Sequence, residues 1–325
     1  MKSIKVKCVI TTISLLFLVA ATSATAAAAE KKNVYTIAIP MIKGLEETKI
    51  VDMFGKMGTV LGKKMGCEFK VEPLPYEYNQ RKDELVIKWF NEGKADIAYI
   101  SGIELSEYQK KGRRGLVPLF ILGMEKSAIK GVCFYTRKGE FSKVSELRGK
   151  TWFGGQPVVA RLLLYKNDID EPIDKFFGAV GFETESPIFP LVEKLKKKEI
   201  DVFSCYKSTM MLSGELAKKD SVIKPLSCAG YESNWVFVAR ADMPPGHMQQ
   251  FRSLMLGAHK DPDFAQFGFF FQTARGHFMP LDKETQEFND AQADLIKKQG
   301  WRKEEEAFYK KYHVGYEYKF EHELK

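Results

Sequence analysis

From residue 33 onward the apolar positions of the chain switch between two periods. NVYTIAIPMIKG (33–44) is a β-branched run closed by Pro and Gly and predicts a strand. ETKIVDMFGKMGTVLGKKMG (47–66) spaces its apolar residues three and four apart and predicts an amphipathic helix. A strand CEFKVEPLP (67–75), a helix KDELVIKWFNEGK (82–94), a short strand ADIAYIS (95–101) and a helix GIELSEYQKKG (102–112) follow. LVPLFIL (116–122) and the strand KGVCFYTRKGEF (130–141) complete this block.

The same order then returns. The strand KTWFGG (150–155) leads into the helix PVVARLLLYKND (157–168), FETESPIFP (182–190) echoes CEFKVEPLP, and LVEKLKKKE (191–199) is a helix before the strand IDVFSCY (200–206). STMMLSGELAKKD (208–220), VIKPLSC (222–228) and NWVFVARADMP (234–244) close the repeat. Alternating strands and helices with short connections predict parallel-type α/β sheets, one per lobe. The pattern after Ala241 is almost wholly helical and is expected to pack back on the first lobe. Strands crossing between lobes near 122–134 and 226–238 would then give a clamshell that closes by hinge motion.

The N-terminus changes the picture of where the chain works. Lys2, Lys5 and Lys7 precede a mainly apolar run (9–21) and the small residues SATAAAAE, the pattern of a secretory signal peptide over 1–29. Removing it takes three lysines from a net charge of +8 and leaves 296 of 325 residues at +5, enough for two lobes. A balance this diffuse, with no basic run beyond KLKKKE, gives no nucleic-acid footprint. Cys67, Cys133, Cys205 and Cys228 match no metal or haem spacing. Pairing in an oxidising compartment and burial as small hydrophobes are both open; a bond between Cys133 and Cys228, on the two crossovers, is one pairing that a non-reduced digest would test.

GKADIAYISG (93–102), YTRKGEFSKVSELRGKTWF (135–153) and FVARADMP (237–244), in this order of elements, resemble the periplasmic solute-binding proteins of ABC importers, in the phosphonate/phosphite/phosphate-binding branch. The resemblance runs over roughly 33–275, on Asp96-Ile97-Ala98, Gly102, Arg137-Lys138 and Ser145 to Lys150. It implies an α/β, two-lobed type II clamshell with two interlobe crossover strands: lobe 1 from 30–125 and 233–325, lobe 2 from 126–232. It also implies a periplasmic monomer that captures a small solute, phosphonate- or phosphate-like, and delivers it to a membrane permease. The alternative role in this fold is a sensing subunit that reports to a membrane receptor or histidine kinase.

In open α/β sheets ligands bind beyond the carboxyl ends of the strands, where helix N-termini offer unpaired N–H groups to oxyanions. In lobe 1 this selects Ser101 and Gly102, with Tyr76, Tyr78 and Tyr99 as possible walls. In lobe 2 it selects Gly154, Gly155, Gln156, Arg161, Tyr206, Lys207 and Ser208, with the glycines suited to close approach or positive φ. Phosphonate binders carry a Ser-Thr-Ser-Gly cluster where this chain reads Gln156-Pro157-Val158-Val159. The hydroxyls are absent and Pro157 has no N–H, so a phosphonate would forgo several charge-assisted hydrogen bonds of about 1.5–3 kcal/mol each.

Other chemistries find no support. GGQPVV lacks the dinucleotide fingerprint, and no P-loop or G-x-S-x-G occurs. His247, His259, His277, His313 and His322 show no metal-ligand spacing, and Cys205 has no histidine nearby in sequence. The chain is expected to need no cofactor or metal and to catalyse no reaction.

Overall fold

The computed structural model describes residues 34–42, 47–76, 81–123, 127–184, 188–267 and 276–313; the expected signal peptide and Tyr78 lie outside them. In chain order the elements begin β1 (Val34–Ile42), α1 (Glu47–Met65), β2 (Glu68–Tyr76), α2 (Lys82–Asn91), β3 (Ile97–Ile100), α3 (Gly102–Lys110) and β4 (Leu116–Gly123). They continue as β5 (Ile129–Arg137), β6 (Thr151–Gly154), α4 (Pro157–Tyr165), α5 (Ile173–Phe176), β7 (Ala179–Phe182), α6 (Phe189–Lys196), β8 (Val202–Tyr206), α7 (Lys207–Leu212) and β9 (Ile223–Ser233). The last are β10 (Val236–Arg240), α8 (Pro245–Gly257), β11 (His277–Met279), α9 (Lys283–Gln299) and α10 (Trp301–Tyr312).

Two sheets form, ordered β11-β4-β10-β3-β1-β2 and β7-β6-β8-β5-β9. In the first, β1 is parallel to β2 and β3, and β10 runs antiparallel between β3 and β4. In the second, β6 is parallel to β7 and β8, and β5 runs antiparallel between β8 and β9. Apart from edge strand β11, the two orders are identical: second, first, third, inserted, fourth. The echo in the sequence is therefore an echo in topology. The chain passes between sheets twice, from β4 to β5 and from β9 to β10, as the two expected crossovers require. All four residues of β3 are buried, which suits a central strand covered on both faces.

Three details depart from the sequence reading. The strand expected at 182–190 lies earlier, as β7, where it pairs in parallel with β6. Residues after 241 include a strand, β11, which pairs antiparallel with β4 through Phe278 and Leu122. The third concerns the C-terminal helices, which do not simply rejoin the first half. α8 does cover the first sheet, with Phe251 and Met255 buried beside Phe120 and Phe237. α10 instead buries Trp301, Phe308 and Tyr309 in the core of the second sheet. There Phe308 meets Trp152 edge-on at 5.7 Å, and Trp301 meets Tyr165 at the same separation. The reason is complementarity: Val158 to Leu164 of α4 are buried throughout, so that helix needs an apolar cover, and α10 supplies it.

α9 links the two halves. Gln286 Nε2 donates to Ser106 Oγ of α3 at 3.2 Å, and Asn289 bonds Ser233 at the end of β9. Its start is capped by Asp282, whose carboxylate accepts from Thr285 N at 2.8 Å. Its end turns at Gly300, whose φ of 69° lets α10 start at once in a new direction.

Cys133 and Cys228 form a disulfide. It sits inside the second sheet, where the two residues face each other on adjacent strands β5 and β9, and not between the crossovers.

Candidate functional site

The crossovers lie side by side. Asn234 N donates to Ala128 O at 2.8 Å, and Ser233 N donates to Asn289 Oδ1 at the same distance. Asn289 Nδ2 also donates to Ser233 Oγ at 3.0 Å, so α9 pins the point where the chain leaves the second sheet. A Cβ on Gly102 would fall 2.1 Å from Ser233 Oγ and 2.5 Å from Asn289 Nδ2. Gly102 therefore serves close packing at this junction.

Beside the junction, at the carboxyl ends of the strands, charged groups of both halves converge. From the first sheet come Tyr76 at the end of β2, Tyr99 on β3, Lys82 at the start of α2 and Glu104 in the first turn of α3. From the second come Lys130 on β5, Tyr206 at the end of β8, Glu232 on β9 and Gln156 before α4. Lys130 and Glu232 are cross-strand partners, and Nζ lies 3.3 Å from Oε1. Tyr206 Oη lies 2.9 Å from the same oxygen and 3.1 Å from Gln156 Oε1; its one proton goes to the nearer, charged acceptor. Lys82 Nζ stands 5.5 Å over the Tyr76 ring, and among the described residues no carboxylate comes within 4.0 Å of it.

The charged groups of the two halves influence one another. Burial penalises the Lys82 ammonium, but Tyr76, Glu104 and Glu232 outweigh it and hold its pKa above the ordinary lysine value. Burial pushes the Lys130 pKa down; Glu232 opposes this, and Lys82 reinforces it from the other half. Burial also disfavours charge on Glu104, yet Lys82, Arg81 and the backbone N–H groups of Ser101 and Lys82 hold its carboxyl below the usual range. Those N–H groups donate at 3.0 and 2.8 Å, one to each oxygen.

A pH effect follows from Glu104. Its folded pKa lies below the unfolded value of about 4.3, so its contribution is complete above that pH and is lost as pH falls through the folded value. Glu104→Gln is expected to flatten the acid side of the stability profile. Thermal unfolding between about pH 6 and pH 3 checks this, and an unchanged slope would refute it.

The other sequence candidates fall into four groups. Tyr99 and Ser101 border the cluster but are engaged. Tyr99 Oη donates to Pro40 O and its ring stacks on Trp235 at 4.6 Å. Ser101 caps α3 in a capping box, its Oγ accepting from Glu104 N at 3.1 Å. Gln156 and Tyr206 belong to the cluster. Lys207 is exposed with its alkyl chain against Gly131, and Ser208 beside it is half-buried.

The remaining three are turned to structure. Gly154 carries the Trp152 ring where a Cβ would be, at 2.5 Å, and Gly155 O accepts from Tyr309 Oη of α10 at 2.8 Å. Neither glycine has a positive φ. Arg161 points away from the cleft: it is 3% exposed, lies 2.7 Å from Glu304 Oε2 and covers the Trp301 ring.

Sequence reasoning missed Lys82, Glu104, Lys130, Glu232 and Trp235. The pattern Ser101-x-x-Glu104 carries a capping-box signature that marks Glu104. Lys130 and Glu232 carry no local signal, because only cross-strand register brings them together.

No family model and no curated protein matches the chain. Solved structures do match its shape. A Xanthomonas citri protein, determined with chloride and with ATP, is 15% identical over 82% of this chain and 99% of its own, with a TM-score of 0.58. A Prochlorococcus marinus protein in complex with methylphosphonate gives 14%, 84%, 99% and 0.58. The periplasmic aliphatic sulphonate binding protein of Escherichia coli gives 12%, 83%, 88% and 0.54. With two sheets of matching order, two crossovers and these likenesses, the chain has the two-lobed type II fold of the periplasmic solute-binding proteins.

Proposed function

We propose that this chain is the periplasmic solute-binding component of an ABC-type importer and holds a small oxyanion between its halves. The observation that carries the reading is that each half places a half-buried lysine among aromatic and polar groups at the ends of its strands, Lys82 over Tyr76 in the first and Lys130 over Tyr206, beside Gln156, in the second. Each half contributes part of the contacts and only the closed form makes all of them, so the solute favours closure by its differential affinity. The named functions of the sulphonate binder and of a Pseudomonas aeruginosa phosphonate-transporter component support capture without catalysis. Two ammonium groups take the role that hydroxyls at the α4 turn play in phosphonate binders.

The test is a thermal-shift screen of phosphate, methylphosphonate, sulphonates and carboxylates on the mature chain, followed by calorimetry and small-angle scattering. A solute at a hundredfold excess over Kd stabilises by about 2.7 kcal/mol, a rise of roughly 4–5 °C for a chain of this size. Compaction is expected with that solute. No shift with any oxyanion would overturn the ligand class, and binding without compaction would overturn the hinge. Methylphosphonate is expected to bind poorly, because the α4 turn lacks the hydroxyl cluster; a sub-micromolar affinity would refute that.

A further inference from the structure

Three cysteines share one cross-strand row. Cys133 on β5 faces Cys205 of β8 on one side and Cys228 of β9 on the other. Directly opposed residues of antiparallel strands project to the same face, and Cys133 and Cys205 lie in one buried cluster with Tyr135 and Phe203. The disulfide joins Cys133 to Cys228, whereas Cys205 carries a thiol directed at Tyr206 O at 3.4 Å. Antiparallel residues alternate between close and wide pairs, with Cα separations of about 4.5 and 5.5 Å. Cys133 and Cys228 form the close pair at 4.1 Å, which leaves the wide pair to Cys133 and Cys205. A separation of about 5.5 Å is one that disulfides commonly span.

We propose that the row is a thiol–disulfide relay in which Cys205 and Cys228 compete for Cys133. The Cys205 thiolate attacks Cys133 Sγ; the new bond forms between these two sulfurs as the bond to Cys228 breaks. The electron pair leaves on Cys228, which takes up a proton in place of the one Cys205 lost. No oxidant or reductant is consumed. Exchange proceeds by attack of a thiolate on a disulfide sulfur, and β8, β5 and β9 carry Cys205, Cys133 and Cys228 side by side in that order. The two end states differ at the surface. Cys205 and Cys133 are fully buried, but Cys228 is exposed on the edge strand β9. Exchange therefore moves a reactive thiol from the core to the surface, where a disulfide such as oxidised glutathione can modify it. The same strands carry Tyr206, Lys130 and Glu232, so the exchange decides whether β8 or β9 is stapled to β5 below the cleft; that consequence rests on the function proposed above, while the exchange does not.

The experiment is peptide mapping of the mature chain with Cys67→Ser, which removes the other thiol. Native protein is held without reductant at mildly alkaline pH, quenched in acid, alkylated with N-ethylmaleimide under denaturing conditions and digested without reduction. The expected result is a Cys133–Cys205 linked peptide with alkylated Cys228, increasing with pH and lost entirely in Cys205→Ala. Cys228→Ser, treated with oxidised glutathione as the oxidant, is expected to form the Cys133–Cys205 bond. Only the Cys133–Cys228 link in the first protein, together with two alkylated thiols in Cys228→Ser, would overturn the relay. Neither arm needs a cleft ligand, so its failure is distinct from failure of the transport reading.

Discussion

Lys82→Met is expected to weaken binding of the cleft oxyanion by about 10- to 150-fold, the loss of one charge-assisted hydrogen bond worth about 1.5–3 kcal/mol. Met keeps most of the length of the side chain and removes its charge. The fold should tolerate the change, because Glu104 retains backbone donors on both oxygens and among the described residues no carboxylate lies within 4.0 Å of Lys82 Nζ. Lys130→Met should behave differently. It leaves Glu232, 6% exposed, without its cation, and an uncompensated buried charge costs about 3–5 kcal/mol. Adding Glu232→Gln should restore stability without restoring affinity. Calorimetry and thermal unfolding of the four proteins check this, and unchanged affinity in Lys82→Met would remove that lysine from the site.

Gly102→Ala should be strongly destabilising. The new methyl would overlap Ser233 Oγ at 2.1 Å and Asn289 Cγ at 2.7 Å. Neither group can swing aside freely, since Asn289 is fully buried and bonded twice to Ser233. Overpacking of about 1–3 kcal/mol adds to buried hydrogen bonds worth about 1 kcal/mol each. The expected sum, about 3–5 kcal/mol, lowers Tm by roughly 5–8 °C at this chain length. Ser233→Gly in the same chain relieves the closest overlap and should recover part of the loss, a coupling that a double-mutant cycle measures. A Tm within about one degree of wild type would show that the junction yields, and the hinge would then need to be sought elsewhere.

Much of the architecture was legible because its signals are local. β-branched runs, three- and four-residue apolar spacing and Gly or Pro at the breaks placed most strands and helices, and their repetition foretold two sheets of one topology. The turn before α4 was correctly placed at the entrance to the second sheet, yet its Gly154, Gly155 and Arg161 face Trp152, Tyr309 and Glu304. Sequence reasoning treated that turn as open because the helix that covers it begins only at Trp301.

What the sequence determined by itself was therefore the pair of echoing α/β blocks and the double crossover, since backbone propensity and hydrophobic period act over a few residues. The tertiary structure alone decided the rest. It placed Lys130 against Glu232 across 102 residues and Cys133 between Cys205 and Cys228, and it turned α10 onto the second sheet. Register and packing complementarity join residues distant along the chain, and no local pattern encodes which partner a strand or an apolar helix face will meet.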